Sequence, residues 1–404
     1  MNKTILSWCL FDFANSSYSA VIAATIFPVY YANMIVGNTA GMGDVWWGRA
    51  ISVSMAIVAI TSPFLGGIAD YAKIRKRLLL FLTFLCVAAV ASFSFLSKGM
   101  AIEGFVLIVL ANVGIEGGLV FYNSFLPEIA QPTHQGRVSA WGFGIGYAGS
   151  ILSLILALLL VRYEMIDAIW LMVALFFTIF SLPAFIFLPK DPKTGTKILI
   201  SAIDGFRHTW GQLKKMWLDK NQRRFLLAYL IYEDGVNTVI VFSSIFAATT
   251  LGFKSEELIY MYLIVQATAL AGVFLMARYI DYWGPKKIIL LSLILWVVIS
   301  IAIFFVHGKL LFAIIASFAG FGLGTVQAAT RAFYTQFVLP GKESEFFGVY
   351  SLVGKSSAIM GPLVFGYLSS TLGSQRPAVL SIVLFFILGF LIIRTVKGGQ
   401  PNVY

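Results

Sequence analysis

Lys355 stands about ten residues inside an apolar run, roughly 15 Å deep at 1.5 Å per helical residue and close to the midplane of a bilayer that the run would cross. Glu116 lies somewhat past the middle of another such run. A charge at that depth costs roughly 2.5–3.5 kcal/mol and persists only where it is paired or faces water. The two residues fit a buried structural ion pair, or a proton-coupling device in which a carboxylate changes its proton affinity beside a cation. Asp12, Asp234 and Arg331 lie nearer the ends of their runs, in company with the amides Asn15, Asn112, Asn123, Asn237, Gln266 and Gln327. For Asp12, snorkelling to the interface competes with a place in a cavity. Tyr18 and Tyr122 stand beside these polar positions, and a tyrosine hydroxyl in apolar surroundings needs a partner, which suits a pocket. Such residues can hold a small polar solute and pass a proton. No nucleophile and base, and no set of metal ligands, recurs at one depth. His134, His208 and His307 are scattered, so neither an enzyme nor a metal or other cofactor is expected.

The elements that must carry these residues are membrane helices. Hydrophobic residues make up 59% of the 404 and charged residues only 12%, against about 25% in soluble domains. The 36 phenylalanines exceed what one soluble core would hide. Runs long enough to span lie near 5–35, 46–69, 78–97, 101–126, 137–162 and 166–188, then near 224–250, 257–280, 286–306, 309–336, 345–371 and 377–396. Lys73, Arg75, Lys76 and Arg77 follow the second run, Arg137 the fourth, a basic cluster from Lys190 to Arg224 the sixth, and Lys286 with Lys287 the eighth. Basic residues in alternate connections place both termini in the cytoplasm. The net charge of +11 therefore reads as topology and contact with anionic lipid, with no nucleic acid expected as a partner. Cys9 and Cys86 sit inside apolar runs and offer no disulfide framework. The chain start is read as an uncleaved first helix, because Asp12 and Asn15 interrupt the apolar stretch after Lys3.

The polar stretch 189–223 separates a six-span bundle at 1–188 from another at 224–404. Its Ile203, Phe206, Trp210, Leu213 and Trp217 recur at helical spacing, and with Arg207, Lys214 and Lys215 they predict an amphipathic linker helix at the cytoplasmic interface. Short segments also repeat in order. Asp12-Phe-Ala-Asn15 returns as Asp234-Gly-Val-Asn237; Asp70 followed by Arg75 and Lys76 returns as Asp281 followed by Lys286 and Lys287; Phe121, Tyr122 and Phe125 return as Phe333, Tyr334 and Phe337. The offsets are 222, 211 and 212, as expected of two related halves with a longer external loop near 33–45. Two apparent motifs are declined. Gly354-Lys355-Ser356 lacks the earlier glycine of a phosphate loop, Val349 standing in its place, and Gly142, Gly144, Gly146 and Gly149 suit close helix packing better than a dinucleotide turn. Gly361-Pro362 predicts a kink in the eleventh run.

The stretch Gly66-Gly-Ile-Ala-Asp70-Tyr-Ala-Lys-Ile-Arg75-Lys76, with its second copy Arg278-Tyr-Ile-Asp281-Tyr-Trp-Gly284-Pro-Lys286-Lys287, resembles the loop motif of the major facilitator superfamily. The resemblance implies an all-α membrane fold of twelve helices in two six-helix bundles, with the first, fourth, seventh and tenth helices lining a cavity. It further implies a cytoplasmic gate formed by Asp70, Arg75, Lys76, Arg137, Arg278, Asp281, Lys286 and Lys287, though interfacial charges alone would also explain these residues. On that fold Asp12, Asn15, Tyr18, Tyr122, Asn123, Asp234, Asn237, Gln266, Gln327, Arg331 and Lys355 are expected at the substrate, and Glu116, Asp12 and Asp234 in proton coupling.

A narrower likeness rests on Trp8-Cys-Leu-Phe-Asp12-Phe-Ala-Asn15-Ser-Ser-Tyr18, Phe121-Tyr-Asn123-Ser-Phe-Leu-Pro127-Glu128, Gly136-Arg137-Val-Ser-Ala-Trp141-Gly-Phe-Gly-Ile-Gly-Tyr147 and Gln327-Ala-Ala-Thr-Arg331. Together they resemble the family of autophagy-related vacuolar amino-acid effluxers and its bacterial relatives. The resemblance implies a secondary transporter of a small organic solute, with amino acids, efflux, proton coupling, a monomer and a bacterial inner membrane as expectations. Export of amphipathic lipids or drugs, and a non-transporting sensor on the same scaffold, are the alternatives.

Overall fold

The computed structural model describes residues 2–37, 42–192, 198–357, 360–371 and 375–398, all helix, turn or connection. The long helices are α1 (Lys3–Val36), α2 (Met42–Ala72), α3 (Arg75–Ser92), α4 (Ala101–Ser124), α5 (Gln135–Arg162), α6 (Ile166–Phe187) and α7 (Ile198–Leu218). They continue as α8 (Lys220–Leu251), α9 (Ser255–Trp283), α10 (Pro285–Phe305), α11 (Lys309–Tyr334), α12 (Glu343–Ser356), α13 (Met360–Thr371) and α14 (Gln375–Thr395). Local chemistry sets several ends. The Asp219 carboxylate accepts from the N–H groups of Asn221 and Gln222 at 2.8 and 3.1 Å and opens α8. Gly284, at φ +83°, turns the chain between α9 and α10, whose first residue is Pro285.

Ten helices among the described residues are long and apolar enough to cross a membrane, namely α1–α6, α9–α11 and α14. The runs expected at 224–250 and 345–371 fall on α8 and on the pair α12 and α13. The described residues of the eleventh run form α12, which ends at Ser356, and α13, which holds Gly361 and Pro362; the expected kink adjoins residues 358–359, outside the described residues. The predicted linker helix is α7. Unforeseen in the sequence, α1 is π-helical over Tyr18–Thr25 and Tyr31–Val36.

The chain forms two compact units. One comprises Met1–Ile129, Ile145–Trp210 and Leu339–Leu352; the other comprises Ala130–Gly144, Gly211–Val338 and Val353–Tyr404. In the first, α1 packs on α6, α2 on α4, α3 on α4 and α3 on α6. In the second, α8 packs on α14, α9 on α11, α10 on α11 and α10 on α14. The four pairings correspond one to one, so the repeat of short motifs is also a repeat of packing. Small residues allow the closest approaches: a Cβ on Gly149 would stand 2.2 Å from the Phe13 carbonyl oxygen, and one on Gly324 would stand 2.7 Å from that of Ala269. Large apolar side chains such as Phe84, Leu175, Leu275 and Leu384 point outward, which only a lipid surround accommodates in such numbers.

Candidate functional site

In the first unit, α1 and α4 are joined through Tyr122. The Trp8 indole N–H donates to the Tyr122 carbonyl at 2.9 Å, and the Trp8 and Phe11 rings stack on the tyrosine ring at 4.6 and 5.0 Å. One turn further along α1, the Asn15 amide donates to the Phe11 carbonyl at 3.0 Å and to Asp12 Oδ1 at 3.3 Å. Both Asp12 and Asn15 are buried. Tyr18, opening the π-helical stretch, donates its hydroxyl to Asn112 Oδ1 of α4 at 3.0 Å. Glu116, one turn beyond Asn112, lies within electrostatic reach of Tyr18 and Cys86. Of the predicted residues, Tyr18 and Tyr122 join α1 to α4 and Glu116 lies near Tyr18, whereas the bonds of Asp12 and Asn15 stay within α1. Asn123 is half-buried at the end of α4.

The second unit holds Asp234, Asn237 and Lys355, and the repeat does not preserve chemistry here. Both Asp234 oxygens accept the Gly361 N–H at 2.9 Å, at the start of α13. Asn237 donates to the Ser357 hydroxyl at 3.2 Å, beyond the end of α12. A Cβ on Gly354 would meet the Tyr229 hydroxyl at 2.6 Å, and one on Gly361 would meet the Thr238 hydroxyl. The Lys355 ammonium acts through space on Glu233. One side of α8 therefore clasps both sides of the division between α12 and α13. Glu233 and Tyr229 are the residues that sequence reasoning missed; the adjacent acids Glu233-Asp234 inside an apolar run were the available signal. Beyond Asn237, a small apolar cleft is lined by Val239, Phe242, Phe246, Phe312 and Phe365.

Arg331, predicted at the substrate, is buried. It donates to the Ser139 hydroxyl and carbonyl at 2.9 and 2.8 Å and lies 4.0 Å over the Phe143 ring, holding the first turns of α5. Gln266 donates to the Tyr262 hydroxyl at 3.4 Å on its own helix. Gln327 is half-buried on α11.

The predicted gate residues do different things. Asp70 Oδ1 and Oδ2 accept from the backbone N–H groups of Ser344 and Glu345 at 3.2 and 2.8 Å, which caps α12. Asp281 accepts the Arg137 N–H at 3.1 and 3.2 Å and caps α5, with the Arg137 guanidinium 3.6 Å away. Arg75 bonds Glu128 and the Ser124 carbonyl, lies 3.8 Å from Glu343 and covers the Phe125 ring at 4.1 Å. Lys76 and Lys286 do something else. Lys76 donates to the Leu188 carbonyl at 2.6 Å after α6; Lys286 donates to the Arg394 and Val396 carbonyls at 2.8 and 2.6 Å at the end of α14. Lys76 and Lys286 are therefore equivalent, one residue off the register read from sequence. Lys287 lies 5.2 Å from the Trp283 ring, and Arg278 is exposed.

Solved structures show which fold this is. The chain superposes on FucP, a major facilitator superfamily transporter crystallised in an outward conformation, with a TM-score of 0.74 at 13% identity over 97% of this chain and 98% of that one. The human organic anion transporter MFSD10 gives 0.73 at 15% identity over 97% and 98%. The protein is thus a multi-pass membrane protein of the major facilitator fold. Residues 49–400 match the family described as "Vacuole effluxer Atg22 like", and the chain belongs to that family of transporters. Among its relatives are an uncharacterized MFS-type transporter, YxiO, of Bacillus subtilis (strain 168), 27% identical over 96% of this chain and 94% of that protein, and Autophagy-related protein 22-1 of Penicillium rubens, 22% identical over 87% and 75%.

Proposed function

We propose that the protein is a proton-coupled secondary transporter that moves a small organic solute, amino acids foremost, outward across a bacterial inner membrane by alternating access of its halves 1–188 and 224–404. The observation that carries this reading is the matched treatment of Asp70 and Asp281. Each caps a helix that begins in the opposite half of the sequence, Asp70 that of Glu343 and Asp281 that of Gln135. A carboxylate can leave a helix N-terminus for water at a cost of a few kcal/mol, so the two caps form a cytoplasmic latch that is made in one conformation and broken in the other. Asp12, Asn15, Tyr18, Tyr122, Glu233, Asn237 and Lys355 are the side chains assigned to the solute, and Glu116 to the proton.

The aromatic richness of the chain, 15% Phe, Trp and Tyr, favours a second reading, in which the solute is an amphipathic molecule. Proteoliposomes loaded with a panel of labelled amino acids, with and without an imposed proton gradient, separate the two readings. Gradient-dependent release that fails in Glu116→Gln supports the first; no movement of any amino acid, with movement of amphipathic dyes, supports the second.

A further inference from the structure

The linker helix α7 presents two different sides. Its buried side carries Gly205, Thr209, Gln212 and Met216. A Cβ on Gly205 would stand 2.8 Å from the Gly67 carbonyl oxygen, and one on Gly67 would clash with the Thr209 hydroxyl. Gly66 makes the corresponding close approach to α12, where its Cβ would stand 2.7 Å from the Ser344 carbonyl carbon. The two neighbouring glycines of α2 thus seat α7 and the capped end of α12 side by side. Glu345, buried at that end, interacts with Thr209 and His208, and the His208 ring stacks on Tyr71 at 5.0 Å.

The neighbouring side of α7 is apolar and exposed over much of its surface, with the Phe206 ring resting on Phe64 of α2 at 4.7 Å. Ile203 is 48% exposed, Phe206 53%, Trp210 71% and Trp217 55%. Four large apolar side chains on one stripe of a helix are costly in water and usual against a bilayer. The level is right for a membrane interface: Gly67 lies five residues before Ala72, the last residue of α2, about 7.5 Å at the helical rise. The exposed Arg207 and Lys214 border the stripe on the side away from the buried seam, where headgroup phosphates would stand. We propose that α7 docks through Ile203, Phe206, Trp210 and Trp217 on a phospholipid surface of net negative charge, with Arg207 and Lys214 on its headgroups. The inference rests on the cytoplasmic placement of this end of α2 and not on any solute being carried. It makes α7 a strap between the lipid surface and the capped end of α12.

Nitroxide labels on Ile203→Cys, Trp210→Cys and Trp217→Cys, one per protein, test it; Cys9 and Cys86 are buried. The protein is reconstituted in phosphatidylcholine vesicles with or without phosphatidylglycerol, and accessibility to oxygen and to a water-soluble nickel chelate is compared. With phosphatidylglycerol, oxygen is expected to relax all three labels more than nickel does. That preference should be lost without the anionic lipid and in the surface variant Arg207→Gln/Lys214→Gln. A label on Gly211→Cys, around which nothing lies within 4 Å, should remain open to nickel throughout and marks the side of α7 that faces water. Nickel access equal to oxygen access at the three stripe positions in both vesicles would overturn the proposal, as would labels shielded from both reagents, which would mean that protein covers the stripe. A preference independent of phosphatidylglycerol would also overturn it, because the role of charge would be gone.

Discussion

Asp70 Oδ2 accepts the backbone N–H of Glu345 at 2.8 Å, joining the end of α2 to the first turn of a helix that starts 273 residues later in the chain, at Glu343. Asp281 stands in the same relation to Arg137. Each carboxylate does two things for the helix it caps: it satisfies orphan N–H groups and it opposes the positive end of the helix dipole. Loss of a cap costs about 0.5–2 kcal/mol. Asp70→Ala and Asp281→Ala should each lower the midpoint of thermal unfolding in detergent. Asp70→Asn and Asp281→Asn, which keep an acceptor and lose the charge, should lower it less. Equal effects of Ala and Asn would show that charge, and not hydrogen bonding, governs the contact.

Arg331 is expected to be structural in its first effect. Its bonds to Ser139 and its place over Phe143 are those of a buried clamp, and a charge-assisted hydrogen bond contributes about 1.5–3 kcal/mol. Arg331→Lys cannot reproduce the fork or the stacking, so it should be markedly less heat-stable than wild type although the charge is kept. Unchanged stability combined with lost transport would assign Arg331 to the solute instead.

Gly149→Ala should be disruptive and Gly211→Ala harmless. The first places a methyl group 2.2 Å from the Phe13 carbonyl oxygen, where α5 and α1 touch, and the second meets nothing within 4 Å. Overpacking costs about 1–3 kcal/mol, to be read from detergent melting curves of the two variants side by side.

At the division between α12 and α13, Asp234→Asn retains an acceptor for Gly361 and Glu233→Gln removes the charge opposite Lys355. The first should leave folding nearly intact. The second should alter the pH profile of transport with little effect on stability, because Glu233 is half-buried and caps nothing among the described residues. A wild-type pH profile for Glu233→Gln would remove it from the solute site.

Most of the architecture was legible because membrane helices are read from length and hydropathy, and the repeat from order and spacing. What hid was chemistry that depends on which atoms meet. Asp12 and Asp234 occupy equivalent positions, yet one accepts from an amide on its own helix and the other accepts the Gly361 N–H of α13. Lys76 and Lys286 looked one residue out of register because basic residues are adjacent in both loops and only the carbonyl each reaches tells them apart. Arg331 carried the signature of an intramembrane charge, and burial against Ser139 cannot be inferred from that signature.

The central claim is that the Asp70 cap opens and closes. Its most direct measurement is the distance distribution between spin labels on Arg77, exposed just beyond α2, and Leu339, exposed just before α12, by double electron–electron resonance in lipid nanodiscs. The expected result is a population at short distance in wild type that gives way to a longer one in Asp70→Ala. One unchanged distribution in both proteins would contradict the latch.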